Sequence, residues 1–378
     1  MGLHSRLIGQ ILLLAVSFLG IRQFKVSLTT IITASVIFLY VILILFHSQG
    51  EHQLDYLFSL IVDKNNYYAS KLSIFIQVTL VPLVAGFILS NKARDRRFLE
   101  GMVYASLAMS VFAILIGVKY SEYWFTSSYQ AVVDRKDEAL FSSISMTILH
   151  LAGFISAIEC IKLKKLKVCF FGFALTNFIF IVIYQQRTAW VYMILVLTYV
   201  FLSGNKGLKV GFRLLRFFTA MLLVVMVVMA MLYAGILNER IVNYAMQMNS
   251  MDLFSSRSGY FDFALTGFFE HPFGNGWGSY SINGPFIYPH NVVLESLYEL
   301  GVIGGVLIVV LLIMMLLSIR GLLRDKCSII FGINSSVAVG LLFGYLVFFS
   351  QKAGDINSLN IPLSLLLLLS TYFWAKKT

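Results

Sequence analysis

The sequence predicts an all-α, polytopic integral membrane protein, with residues 1–378 forming a single membrane domain. Three observations carry that prediction. Apolar runs of about 20 residues, long enough to cross roughly 30 Å of hydrocarbon as helices, recur along the chain. Charged residues make up 12% of the chain and hydrophobic ones 59%, where soluble domains carry about 25% charged residues. The short polar segments between the runs alternate in charge, as membrane-protein loops do.

About 11 spans (10–12) are expected, at 3–21, 26–46, 72–90, 98–118, 141–161, 168–186, 188–203, 217–237, 301–319, 329–349 and 359–375. The first eight lie within 1–237, a main outer loop covers 238–300, and the last three lie within 301–378. The stretch Leu54–Val62 is a candidate for a further span or re-entrant piece, which leaves the side of the N-terminus open.

Charge sets the orientation. The segments Arg22–Lys25, Asn91–Arg97, Lys162–Lys167, Gly204–Arg216, Arg320–Lys326 and the tail Lys376–Lys377 hold 19 of the 29 Lys and Arg, although the opposite side has far more loop residues. The positive-inside rule puts these segments in the cytoplasm. That accounts for the net charge of +11 without a nucleic-acid partner, and places Ser255–Gly305 outside. Cys160, Cys169 and Cys327 fall near the cytoplasmic ends, where thiols stay reduced, and show no metal-site spacing.

Few ionisable or amide side chains are expected inside spans. His150 and Asn177 lie mid-span, where each could bond a neighbouring helix, and Glu100 and Glu159 lie near span ends, within reach of water. A proton-coupled transporter usually has a denser intramembrane polar chain. Two outer loops, His47–Lys71 and Lys119–Leu140, are aromatic; Tyr120, Tyr123, Trp124, Phe125 and Tyr129 read as an interfacial belt or a sugar-binding surface.

The residues that carry chemistry lie on the outer side. Arg187 sits in YQQRTAW with almost no loop around it, either snorkelling or gripping phosphate in a bidentate manner. In SSRSGYFDFALTGFF, Ser255 or Ser256 is the expected N-cap of a helix with Tyr260, Phe261, Ala264, Leu265 and Phe268 at helical spacing. Arg257 then falls in the first turn, where a cation and free backbone N–H groups together suit an anion. In HPFGNGWGSY, Gly274, Gly276 and Gly278 lack the strand and helix of a nucleotide loop; they form a surface turn or let backbone approach a bulky ligand. In PHNVVLESLYELGVIGG, Pro289 and the N-cap Asn291 hold His290 at the mouth of a helix running into the ninth span. Asn291, Glu295 and Glu299 follow at four-residue steps on one face, so His290 reads as a capping residue or as a general base beside carboxylates. His271 and His290 lack metal-ligand spacing; neither a metal nor a cofactor is expected.

The run QQRTAW, then Arg257 with thirteen residues between it and HPFGNGWGSY, then PHNVVLESLYELGVIGG entering the next span, resembles the O-antigen ligase and O-antigen polymerase superfamily of bacterial envelopes. The resemblance covers the layout from about Val168 to Leu317. It implies a metal-independent, inverting glycosyltransferase of C-type membrane fold in the bacterial inner membrane, with its site facing the periplasm. Such an enzyme moves a glycan from undecaprenyl diphosphate to an acceptor hydroxyl. By motif, Arg187 and Arg257 would hold the diphosphate and His290 would orient or deprotonate the acceptor, with Asn291, Glu295 and Gly276 lining the substrate site. The implied activity is a repeat-unit polymerase for O-antigen, capsule or exopolysaccharide, with a ligase to lipid A–core or protein as the alternative and a lipid-linked glycan flippase or transporter as the remote one. Expected partners are the lipid-linked glycan, the acceptor glycan or lipid A–core, membrane lipid and a chain-length regulator.

Overall fold

The computed structural model describes residues 27–48, 67–90, 95–119, 143–161, 166–184, 187–203, 252–285, 288–325, 334–352 and 356–372, with isolated positions between 218 and 233. Among these residues there are helices and no strands. The helices are α1 (Leu28–His47), α2 (Tyr67–Leu89), α3 (Arg96–Lys119), α4 (Ser143–Cys160), α5 (Lys167–Ile183), α6 (Arg187–Ser203), α7 (Asp252–Glu270), α8 (Ser279–Asn283), α9 (Val292–Arg324), α10 (Ser335–Lys352) and α11 (Asn360–Leu369). Short 3-10 turns, Ile356–Leu359 and Ser370–Tyr372, flank α11.

The all-helical expectation therefore holds, and nine of the predicted spans have a helical counterpart. Three apolar helices are long enough to cross a membrane, Leu28–His47, Arg97–Lys119 and Val292–Arg324, with mean hydropathies of 2.6, 2.1 and 3.1. Their exposed faces are apolar, as with Phe38, Leu39 and Phe46 on α1 and Val302, Ile303, Val306 and Ile313 on α9. A water-facing surface would not carry such a stripe, and the protein is membrane-associated. The expected span 3–21, most of 217–237, the Leu54–Val62 piece and the Lys119–Leu140 aromatics lie outside the described residues.

Two apolar cores share the bundle. One gathers α3, α4, α5, α6 and one side of α10 around Ile155, Ile181, Val196 and Tyr345. The other gathers α1, α2, α9, α11 and the opposite side of α10 around Ile44, Phe343, Leu311 and Leu366. Without a hydrophobic drive between helices in lipid, close approach rests on small residues and interhelical hydrogen bonds. Gly86 of α2 and Ser364 of α11 meet backbone to backbone; a Cβ on Gly86 would lie within 2.4 Å of the Ser364 carbonyl oxygen. The mid-helix polar pair behaves as its hydrogen-bonding reading requires: His150 Nδ1 lies 2.9 Å from Asn177 Oδ1, joining α4 to α5. Glu100 and Glu159, expected within reach of water, are instead buried.

α9 positions the functional region. Asn291 caps it, its Oδ1 accepting from the backbone N–H of Val293 and Leu294 at 3.0 and 3.1 Å, and the helix runs on through the ninth span as the sequence predicts, passing its expected end at 319 to reach Arg324. It bends at Gly301, whose φ of 69° and ψ of −163° are non-helical. A bend leaves backbone groups without their helical partners, and the glycine-rich loop takes them up. Val302 N–H donates to Pro272 O at 2.8 Å, while the carbonyls of Tyr298 and Glu299 accept from Asn275 and Gly276 N–H at 2.9 and 3.0 Å. Gly274 and Gly276 have φ of 100° and 96°, a conformation only glycine adopts without strain.

Two substitutions test this joint. Gly301→Ala should lower unfolding stability in detergent by about 2–5 kcal/mol, because its Cβ would fall within 2.4 Å of the Phe273 carbonyl carbon on a left-handed backbone. Gly172→Ala, with nothing within 4 Å of the added carbon, should instead raise stability by about 0.5–1 kcal/mol.

Candidate functional site

The corner between the glycine-rich loop and α9 holds His290, Asn291, Glu295 and Gly276 of the residues singled out in the sequence. His290 has φ 57°, the one described non-glycine residue with positive φ. Such a conformation costs on the order of 1–3 kcal/mol and persists where the surroundings over-determine it. Here they do. Pro289 is buried before it and Asn291 is committed to capping after it. Asn291 also reaches across: its Nδ2 donates to the carbonyl of Gln351 in the last turn of α10, at 3.3 Å. One side chain thus satisfies the start of one helix and the end of another.

The His290 ring is in contact with two tyrosines, Tyr288 at 4.6 Å in an edge arrangement and Tyr260 of α7 at 6.2 Å. α7 is held on α9 by an aromatic cluster. Tyr280 meets Tyr298 and Phe263 edge-on at 5.3 and 5.6 Å, and its hydroxyl donates to the Tyr260 carbonyl at 3.1 Å. Burial pushes the Tyr280 hydroxyl well above its ordinary pKa, so it remains a donor through the neutral range. Gly267 allows this approach, since a Cβ there would meet the Tyr298 ring.

Beneath the corner lies a buried ion cluster. Lys71 Nζ lies 2.5 Å from Glu295 Oε1 and 2.7 Å from both carboxylate oxygens of Glu299, with all three side chains fully buried. The ammonium also sits 4.6 Å from the centre of the Trp277 ring, a cation–π geometry. Glu295 Oε2 accepts the N–H of Ile356 at 2.9 Å. One lysine therefore ties α2, the glycine-rich loop, the first turns of α9 and the 3-10 turn before α11.

Glu295 and Glu299 do share a face with Asn291, as predicted, but that face points into the protein onto Lys71. The general-base reading placed these carboxylates beside His290; Glu295 has both its oxygens engaged by Lys71 and Ile356. Gly276 is likewise occupied with the α9 bend, its N–H on Glu299 O. Arg257 requires a correction of register. α7 starts at Asp252, so Ser255 and Ser256 are inside the helix and Arg257 is in its second turn, one turn before Tyr260. The orphan N–H groups of a helix lie in its first turn, and the first-turn anion site falls away. Arg187 is the first residue of α6, separated from the end of α5 by a three-residue connection; the tight junction that the sequence predicts is there. The side chains of Arg187 and Arg257 are outside what the structure describes, so their convergence on His290 is not among the described contacts.

Sequence reasoning missed Lys71, Tyr288, Gln351 and the pairing of Tyr260 with His290. Lys71 was expected at the edge of an outer loop, before a span starting at 72, whereas α2 begins at Tyr67 and includes it. A signal existed: Lys71 is a basic residue on the basic-poor side, the same argument that singled out Arg187. Among the described residues no group of three His, Cys, Asp or Glu could hold a metal.

Fold and site together define a membrane-associated, all-helical protein with a strained histidine at a helix mouth above a buried ion cluster. No family model, no curated protein and no solved structure matches the chain.

Removing Lys71 would leave two buried carboxylates without a cation. Lys71→Met should lower stability by about 3–5 kcal/mol, and the triple variant Lys71→Met, Glu295→Gln, Glu299→Gln should recover part of that loss. Chemical denaturation in detergent measures both; equal stability of Lys71→Met and the wild type would show that the cluster holds nothing together.

Proposed function

We propose that the protein is a metal-independent glycosyltransferase of the O-antigen polymerase and ligase type. It takes a glycan from undecaprenyl diphosphate and passes it to an acceptor hydroxyl at the outer face of the inner membrane, most simply as a repeat-unit polymerase. The observation that carries this reading is His290, a titratable side chain kept in a strained backbone conformation beside two tyrosine rings, at the residue position where the motif resemblance puts the acceptor base.

The chemistry follows from those positions. His290 takes the proton of the acceptor hydroxyl. The freed oxygen lone pair forms the bond to the anomeric carbon from the face opposite the leaving group, and the carbon–oxygen bond to the diphosphate breaks with its electron pair passing to the phosphate. The leaving diphosphate gains negative charge, so guanidinium groups placed at it favour the transition state over the ground state. Arg187, at a helix junction with almost no slack, and Arg257, one turn from Tyr260, are the groups we assign to that task. Tyr260 and Tyr288 offer aromatic surface beside His290 on which a sugar ring can pack. Asn291 fixes the corner through its two caps, while Glu295 and Gly276 act beneath it, the one holding α9 through Lys71 and the other holding the bend.

The buried Lys71, Glu295 and Glu299 cluster favours a second reading, because ionisable groups buried in a membrane protein often mark a transport path. On that reading the protein moves lipid-linked glycan across the membrane and forms no glycosidic bond.

Purified protein in liposomes, given lipid-linked repeat unit alone, should make a ladder of longer products. Product only on addition of lipid A–core assigns the ligase, and translocation without new bonds assigns the transporter. His290→Ala should reduce transfer by about 10²–10⁴-fold, and Arg187→Ala or Arg257→Ala by about 10²–10³-fold. Normal transfer by all three folded variants would overturn the roles assigned to His290, Arg187 and Arg257, and translocation without any new glycosidic bond would overturn the enzymatic reading.

A further inference from the structure

The last turn of α10 meets the corner where the Gln351 carbonyl accepts from Asn291, and one side chain there is unexplained by the fold. Gln351 is partly buried; its carbonyl accepts from Asn291 Nδ2 at 3.3 Å, which sets the residue directly against the His290–Asn291 turn. Its own side-chain Nε2 is buried and has no hydrogen-bond partner among the described residues. A buried amide donor left without an acceptor is destabilising, and native structures keep few such groups without a reason such as a ligand or an ion. An amide N–H can only donate, which excludes a cation as the missing partner and calls for an oxygen acceptor. The neighbouring groups add a second observation: a histidine in strained backbone one residue from Asn291, with two tyrosine rings beside it.

We infer that Gln351 is a substrate-contact residue whose side-chain amide donates to an oxygen of the glycan donor bound at the His290 corner. This rests on the glycosyltransferase reading and extends it by a residue that no motif marks. Two sources could supply the oxygen, a sugar hydroxyl or the diphosphate. The groups assigned to the diphosphate are on α6 and α7, whereas Gln351 is on α10 with its backbone against Asn291, and the sugar hydroxyl is the assignment made here. The inference separates Gln351 from its neighbours in kind. Asn291 works within the protein, whereas Gln351 donates to what the protein binds.

The test compares wild type with Gln351→Met, which keeps length and helix propensity and removes the donor. Two measurements are made on the full-length protein in detergent. The first is thermal unfolding without ligand: Gln351→Met should unfold at or above the wild-type temperature, because an unsatisfied donor has been removed. A clear fall would show that the amide has a partner within the protein and would overturn the inference. The second is binding of two probes, undecaprenyl diphosphate alone and lipid-linked oligosaccharide extracted from membranes of the cells that encode the protein. Affinity for the oligosaccharide lipid should fall by about five- to tenfold, as loss of one neutral hydrogen bond predicts, with affinity for undecaprenyl diphosphate unchanged. An equal fall for both probes moves the contact to the diphosphate and overturns the sugar assignment. Unchanged binding of both probes, with wild type binding well, overturns the role of Gln351 and leaves the enzymatic reading standing. A wild type that binds neither probe overturns both.

Discussion

The grip of Lys71 on Glu295 and Glu299 is the interaction on which the upper part of the molecule depends. A lone buried charge is among the most destabilising features a protein can carry, so once the two glutamates are turned inward the lysine has little freedom to be elsewhere. Their spacing of four residues puts both carboxylates on one side of α9, within reach of a single ammonium. Trp277 covers that ammonium and Ile356 donates its N–H to Glu295. Lys71, the Trp277–Glu299 stretch and Ile356, distant in sequence, are thereby locked in register. The wall formed by Tyr40, whose hydroxyl shares a 2.6 Å hydrogen bond with Ser296, adds α1 to the same assembly.

The bend at Gly301 follows from the same requirement. The first turns of α9 must face Lys71 and the glycine-rich loop, while the rest of the helix lies along α10 and the apolar core. A straight helix cannot serve both directions, and a kink opens the hydrogen-bond ladder. The loop 271–278 closes it again by offering a carbonyl to Val302 and N–H groups to Tyr298 and Glu299. Its glycines are thus accounted for by backbone meeting backbone. The glycine-rich pattern that suggested a ligand cradle describes a splint on a bent helix.

With α9 fixed from below, the corner above it has one arrangement. Asn291 spends both ends of its amide on caps, α7 is pressed in by the tyrosine cluster, and His290 is left in left-handed backbone beside two rings. Strain of this kind stays only where the neighbours hold it, and each of these neighbours is held in turn by a hydrogen bond or a ring contact. A preorganised histidine at the mouth of a helix is what acid–base chemistry on a bound hydroxyl requires, and the proposed reaction uses it in that way. The basic residues assigned to the diphosphate come from two other helices, α6 and α7, so the proposed site belongs to the bundle as a whole.

Local chemistry was enough for the sequence to determine the all-helical class, the membrane association, most helix positions, the Asn291 cap and the continuation of the helix past Leu300. Hydropathy and capping are properties of neighbouring residues, and they survive whatever the rest of the chain does. The four-residue spacing of Asn291, Glu295 and Glu299 was equally readable, but not the direction in which that face points. Lys71 lies 224 residues before Glu295, and no local rule links them. The start of α7 at Asp252 also escaped, because Ser255 and Ser256 cap well only when the chain before them is not already helical. Pairing across hundreds of residues depends on which helices come together, and apolar helix faces of similar composition do not specify their neighbours. Only the tertiary structure decided that the carboxylates face a lysine, that the glycines face a bent helix, and that the histidine stands at the corner they leave open.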